Sequence, residues 1–414
     1  MQVSLAISVL ILTFSRIIIN MTRRFALPFL PILARHLGVP LASVQSVVAL
    51  QAGIGVTSPA FGPLAERYGR KRVMLGALAL VLVSALVMVA APRFTVFAIV
   101  MIVFGVGKMI FDPAMYAYLG DRVPYNRRGM AMGATELSWA SALLVAGPLV
   151  GFLLGFSALV VPAVLLRGEA RFIPSFPYAN DGLQAVFLAL AIISLTAMLA
   201  VSLLLPGDAP QKGVVRSRPI NPLAALRILS QSPMGMGAIG YTLALTMANE
   251  IFYINYGVWM EQTFQLGPAR LGVLTTVIAA AEVIGEFFVI GLSDRIGKRR
   301  MALAAALVAS IGYIAMPLLS FSLVTALLGL FVAFLAFETA IVSSIPLFTE
   351  IMPDTRAVMM SGSVGAGAVG RFTGTAVGSI VFAWTNSFLL IGIVAAVVGL
   401  LAFASMARYV QERA

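Results

Sequence analysis

Twelve long apolar runs follow one another along this chain of 414 residues, each close to the roughly 20 residues a helix needs to cross the hydrocarbon core of a bilayer. A backbone in lipid must satisfy its own polar groups within each segment, so runs of this length are expected to be helices. They are placed near 4–33, 41–64, 73–92, 94–118, 130–155, 183–205, 234–260, 269–292, 300–319, 321–348, 358–384 and 386–408. The stretch 156–166 stays apolar, and two readings fit it: a fifth helix that runs long, or a short interfacial segment before the polar loop 167–182. With 60% hydrophobic residues, 11% charged ones and a mean hydropathy of +1.01, a soluble globular fold is excluded. The first run carries Arg16, Asn20, Arg23 and Arg24 and has no small-residue cleavage site, so it reads as a retained span and not as a signal peptide.

The formal charge of +12 would suit a nucleic-acid partner, but the basic residues sit in short clusters between apolar runs and no soluble basic domain exists to bind one. Assigning alternate loops to the two sides puts 18 Lys and Arg residues on one side and 5 on the other. Both termini are therefore expected in the cytoplasm, and the chain in the inner (plasma) membrane as a multi-pass protein. The longest basic connection, 206–233, divides the chain into an N-terminal six-helix half, 1–205, and a C-terminal one, 234–414, with 221–229 as a short amphipathic segment at the membrane surface.

With no Cys and a single His, His36, disulfides, thiolate chemistry and ordinary zinc sites are excluded. There is no H-E-x-x-H and no G-x-x-x-x-G-K-[ST], so neither a zinc hydrolase nor direct coupling to ATP is expected. The chain reads as a non-enzyme with no catalytic residues, no cofactor and no metal.

The two halves repeat. Gly62 and Gly291, Pro124 and Pro353, Arg127 and Arg356, and Asn20 and Asn249 are each 229 residues apart, and Gly69 and Gly297 are 228 apart. Several pairs at one offset mark an internal duplication. The run Gly62-Pro63-Leu64-Ala65-Glu66-Arg67-Tyr68-Gly69-Arg70-Lys71-Arg72 resembles the G-x-L-a-D-r-x-G-r-k loop between the second and third helices of major facilitator transporters. Gly291, Asp294, Arg295, Gly297, Lys298 and Arg299 repeat it between the eighth and ninth. Glycines permit the tight turn, an acid can cap a neighbouring helix and the cations hold the loop inside. The resemblance implies an all-α membrane protein of twelve transmembrane helices in two pseudo-symmetric six-helix halves, the major facilitator fold. It also implies that Gly62, Glu66, Arg67, Gly69, Arg70, Gly291, Asp294, Arg295 and Gly297 form gating latches; Glu66 replaces the usual Asp. In the fifth helix Gly147, Pro148 and Gly151 resemble the core of the G-P-x-x-G signature of drug:proton antiporters, a site of bending and close packing. The upstream small positions hold Ala134 and Leu143, and Met101 stands where the fourth helix of the family carries Arg.

Charged side chains at bilayer depth cost at least about 2.5–3.5 kcal/mol each on insertion scales and mark function. Here they are Arg16, Arg23, Arg24, Lys108 and Arg371 against Asp112, Glu136, Glu250, Glu282, Glu286 and Glu338. Arg16, Asn20, Arg23 and Arg24 share a face of the first helix, which either presents cations to an anionic solute or neutralises Asp112 or Glu136 or snorkels to an interface. Lys108 and Asp112, four residues apart, are placed to pair. Glu282 and Glu286 are also four apart, and like charges so close in a low dielectric should not both ionise, the behaviour of a proton carrier. Asp112, Glu136, Glu282, Glu286 and Glu338 are thus the proton-coupling candidates; Glu338 and Arg371 form a possible cross-helix pair. Asn249, Glu250, Tyr253 and Tyr256, with Phe252 and Trp259, suit a solute with an apolar body, alongside Arg16, Asn20 and Arg23 as substrate-binding candidates.

The expected function is secondary active transport of a small-molecule substrate by alternating access, driven by protons, with efflux by antiport as the leading direction. Proton-coupled uptake of an organic anion and flipping of an amphipathic lipid are the alternatives. The expected partners are the solute, protons and the lipid bilayer, with the chain monomeric and no nucleic acid bound.

Overall fold

In the computed structural model the described residues, which are 5–57, 61, 64–65, 67–123, 135–167, 181–207, 227–352 and 356–412, form helices joined by short turns. It divides into two compact units, Met1–Pro210 with Met260–Thr276, and Gln211–Trp259 with Val277–Ala414. Among the described residues ten helical stretches are long and apolar enough to cross a membrane. The two other expected spans differ for separate reasons. Leu41–Thr57 is shorter than a full crossing, and the helix Pro233–Phe264 is long but carries Asn249, Glu250 and Asn255 in its middle.

In the first unit α1 (Leu5–Arg24) stops before a 3₁₀ turn, Leu27–Phe29, and α2 (Leu30–Leu37) completes the crossing. Pro28 and Pro31 open these two short elements, where the N–H a proline lacks has no intrahelical acceptor. Gly38, at φ +63°, ends α2 by donating to the carbonyls of Ala34 and Arg35. Then come α3 (Leu41–Gly53), α4 (Arg70–Ala90), α5 (Phe94–Arg122), α6 (Ser138–Arg167) and α7 (Asp181–Leu204). The apolar stretch after the fifth expected span is therefore a continuation of α6, the first of the two readings. Phe25, Phe97 and Phe104 gather around Phe187 at 5.5, 6.3 and 6.1 Å between ring centroids, tying α5 and α7 to the end of α1.

The remaining helices are α8 (Pro233–Phe264), α9 (Pro268–Leu274), α10 (Thr276–Ile296), α11 (Lys298–Leu318), α12 (Leu323–Ile351), α13 (Arg356–Thr385) and α14 (Phe388–Tyr409). In the second unit α8 and α13 lie close together along Gly370, Gly374 and Gly378. A Cβ at Gly374 would stand 2.5 Å from the Met247 carbonyl, and one at Gly378 2.5 Å from that of Ile251. Small residues at this four-residue spacing let two helix backbones touch where lipid offers no hydrophobic drive.

Candidate functional site

In the first unit the charges of α1 and α5 meet. Lys108 donates to Asp112 Oδ2 at 2.7 Å, the pair that the helical spacing predicts, and to Asn20 Oδ1 at 2.5 Å. Asn20 passes its own amide to Ser138 Oγ at 3.0 Å. Arg16 reaches Asp112 Oδ1 at 3.4 Å, Glu136 Oε1 at 3.0 Å and the Thr135 carbonyl at 3.0 Å, and its guanidinium lies 5.1 Å from the ring centre of Tyr116. Tyr116 in turn donates to Glu136. One continuous network thus joins α1, α5 and the start of α6, and it places Arg16 between two carboxylates as the neutralising reading expects.

Above this network the indole of Trp139 is surrounded by cations, with Arg24 at 4.5 Å, Lys108 at 5.7 Å and Arg23 at 5.8 Å from the ring centre. Arg24 also donates to the Trp139 carbonyl at 2.9 Å. A charge over a ring face is attracted by the ring quadrupole, more strongly where water is excluded. Arg16, Asn20, Arg24 and Lys108 are buried, while Arg23, Tyr116 and Trp139 are partly exposed and Glu136 is half exposed.

In the second unit Asn249, Glu250, Tyr253 and Tyr256 are all buried on α8. Asn249 accepts from Tyr313 at 3.1 Å. Tyr253 stacks on Tyr256 at 5.3 Å and meets Phe334 edge-on at 5.1 Å, and Phe252 sits between Trp259 and Tyr313. Arg371 pairs with Glu250, Nε to Oε1 at 3.8 Å, an ion pair that runs from α13 to α8. Glu282 and Glu338 are buried and Glu286 half-buried. Gly285 brings α10 against α12, since a Cβ there would lie 3.1 Å from the Cβ of Glu338.

The loop residues divide by unit too. Gly62 and Glu66 lie outside the described residues, and of Asp294 only the helical backbone in α10 is described. Gly69 and Gly297 take φ of +94° and +95°, a conformation only glycine adopts without strain, and each opens the next helix. Arg70 pairs with Asp121 at 2.9 Å, and Lys298 with Glu350 at 3.5 Å. Lys71 donates to the carbonyls of Ser202 and Leu205 at 2.9 and 2.6 Å, and Arg299 to those of Ala407 and Val410 at 2.8 and 2.6 Å. Both sets sit at a helix C-terminus, where a cation meets unsatisfied carbonyls and the negative end of the dipole. Arg67 lies over Tyr68 at 5.3 Å, and Gly291 and Arg295 are exposed on α10.

Gly147 and Gly151 on α6 pack on α9. A Cβ at Gly147 would stand 2.7 Å from the Gly272 carbonyl and one at Gly151 2.6 Å from that of Pro268, while Pro148 sits inside a continuous helix. Reasoning on sequence did not find Tyr116, Thr135, Ser138 and Trp139, nor Asp121 and Glu350. The last two share the 229-residue offset of the repeat, and Tyr116 falls one turn beyond Asp112 on the face of Lys108. The carbonyl of Thr135 has no signature in side-chain chemistry.

The Major Facilitator Superfamily profile matches residues 12–253 and 237–413. The chain is 23% identical over 364 residues to an uncharacterized MFS-type transporter, YceJ, of Bacillus subtilis (strain 168), covering 87% of this chain and 85% of that one. It is 26% identical over 285 residues to the class G tetracycline resistance protein of Vibrio anguillarum, covering 67% and 65% of the two. Among solved structures, a bacterial homolog of the human lysosomal transporter Spinster, inward-facing and unoccupied, aligns with a TM-score of 0.79 at 13% identity over 99% of this chain and 98% of that one. A D-xylose-proton symporter aligns at 0.75 and 16% identity over 99% of each chain.

Proposed function

Because the chain belongs to the major facilitator superfamily, we propose that this secondary transporter exports a small solute in exchange for protons, its two halves alternating access to the solute. The observation that carries the exporting direction is the seating of Gly147 and Gly151 on Gly272 and Pro268. A glycine face of this kind on the fifth span, next to Pro148, is the part of the antiporter signature that the chain retains. The tetracycline resistance relative supports the same direction. The network of Arg16, Asp112, Tyr116 and Glu136 supports proton coupling, because a half-exposed carboxylate shared between a guanidinium and a phenol can change its proton and its partners together. Glu282, Glu286 and Glu338 are further carriers. Arg16, Asn20, Arg23, Asn249, Glu250, Tyr253 and Tyr256 contact the solute in this reading, and the two repeated loops gate it. Both termini lie in the cytoplasm.

Uptake by symport is the second reading, favoured by the structural likeness to a proton symporter. Counterflow in proteoliposomes with a chemically diverse solute panel, under a pH gradient of either sign, separates the two. Export predicts solute movement opposite to the proton flux, and movement with it would support the symport reading.

A further inference from the structure

The two carboxylates that Arg16 joins are not equivalent. On Asp112 both oxygens are taken, Oδ2 by Lys108 at 2.7 Å and Oδ1 by Arg16 Nε at 3.4 Å, and the side chain is 16% exposed. On Glu136 both partners fall on one atom. Its Oε1 accepts from Arg16 Nη1 at 3.0 Å and from the Tyr116 hydroxyl, while its Oε2 has no partner among the described residues and the side chain is 50% exposed.

That difference decides where a proton can be added. A proton placed on either oxygen of Asp112 must displace an N–H donor that already points at it. On Glu136 the O–H bond can form at Oε2 with a proton taken from water, and Oε1, then a carbonyl oxygen, remains an acceptor for Tyr116 and Arg16. Arg16 keeps other partners through the change, since Nη1 also donates to the Thr135 carbonyl at 3.0 Å and Nε reaches Asp112.

The charged and titratable groups around this carboxylate are few. From α1 come Arg16, with Arg23 and Arg24 on Trp139, and from α5 come Lys108, Asp112 and Tyr116. Residues 138–166 of α6, all of α3 and residues 183–205 of α7 carry no charge, and α9 meets α6 at Gly147 to Gly155, about three turns further on. The duplication adds a second observation. At the 229-residue offset that relates Asn20 to Asn249 and Asp121 to Glu350, the positions of Arg16, Lys108, Asp112, Tyr116 and Glu136 hold Leu245, Phe337, Ile341, Ile345 and Gly365. The same repeat is built there from apolar residues and glycine, so scaffolding alone does not account for the network. We infer that Tyr116 is a positioning residue of a proton site: its hydroxyl holds Oε1 of Glu136 on Arg16 and leaves Oε2 as the atom that takes and returns the proton. The inference rests on the proton-coupled reading only in calling that proton the driving one.

Infrared difference spectra of the full chain in lipid nanodiscs, recorded as pH is stepped and with no solute present, read protonated carboxyl groups directly. A component of the titrating carboxyl band should vanish in Glu136→Gln. Tyr116→Phe removes only the hydroxyl, so that component should persist with its midpoint displaced by about one pH unit, the equivalent of one charge-assisted hydrogen bond. Glu136→Asp keeps the acid but shortens its reach to Tyr116 and Arg16, and it should displace the midpoint as well; it decides the point if Tyr116→Phe does not fold. Coincident spectra for wild type and Glu136→Gln, or a midpoint left in place by the folded Tyr116→Phe protein, would overturn the inference. Transport under a pH gradient separates the two levels. If the Glu136 component is present and responds to Tyr116→Phe while the pH difference drives no solute, the site stands and proton coupling falls. If the pH difference drives solute and the component is missing, coupling stands and the assignment to Glu136 falls.

Discussion

Arg70 Nε lies 2.9 Å from Asp121 Oδ2, joining the turn at Gly69 to the end of α5, and Lys298 repeats this link to Glu350 in the second unit at 3.5 Å. The two links are equivalent in the duplication but not in environment. The Arg70 side chain is 8% exposed and that of Lys298 24% exposed. Removing Asp121 takes the carboxylate from a nearly buried guanidinium that otherwise donates to the Ala65 carbonyl at 3.3 Å, and Asp121→Ala is expected to cost about 1–3 kcal/mol of stability. Glu350→Ala removes a solvated partner, and about 0–1 kcal/mol is expected. Thermal unfolding in detergent should rank Asp121→Ala clearly below Glu350→Ala, and the reverse order would contradict the described burial.

Gly147→Ala and Gly151→Ala should separate α6 from α9, because each new Cβ meets a backbone carbonyl within 2.7 Å and backbone cannot swing aside as a side chain can. Overpacking of this kind costs about 1–3 kcal/mol. Gly76→Ala, whose Cβ would meet nothing within 4 Å, is the control on α4. Transport assayed beside expression level should fall several-fold for the first two and stay near wild type for the third.

Ten of the expected spans were legible in the sequence because length and apolarity alone decide whether a helix can cross lipid. Their interruptions were less so. Pro28 and Pro31 foretold the break between α1 and α2 only once the 3₁₀ turn was known, and nothing in Thr275 or its neighbours marks the boundary between α9 and α10. Lys108 and Asp112 were readable as a pair since four residues on one helix fix their separation. Arg16 was not readable in full, because its partners lie 96 and 119 residues away and one of them is a carbonyl. Arg371 finds Glu250 because the glycine face of α13 draws α8 close, a tertiary effect that side-chain inventory does not contain.

Glu412 accepts the backbone N–H groups of Lys298 and Arg299 at 3.0 and 3.1 Å, so the C-terminal tail caps the first turn of α11. Loss of such a cap costs about 0.5–2 kcal/mol. Glu412→Ala should lower the unfolding temperature measurably, and Glu412→Asp, one methylene shorter, should lower it less. Equal values for all three proteins would remove the cap from the account of α11.

The charge asymmetry of 18 to 5 between alternate loops can be tested directly, since the chain has no Cys to remove first. Cys introduced at Ser217 should react with membrane-impermeant reagents only from the cytoplasmic side, and Cys at Gly182 only from the opposite one. Labelling of both from one side would contradict the assigned topology.

The central claim is that protons drive solute movement through the carboxylates proposed as carriers, Glu136 in the first unit and Glu282 and Glu286 in the second, and pH-driven transport in proteoliposomes tests it most directly. The set to compare is wild type with Glu136→Gln, Glu282→Gln and Glu286→Gln, substitutions that keep size and most hydrogen bonding while abolishing the titration. Wild-type protein should accumulate solute against its gradient when a pH difference is imposed, and a protonophore should collapse that accumulation. At least one of the three variants should lose pH-driven accumulation while still exchanging solute at equal concentrations. Accumulation that ignores the pH difference and the protonophore, or all three variants matching wild type, would contradict it.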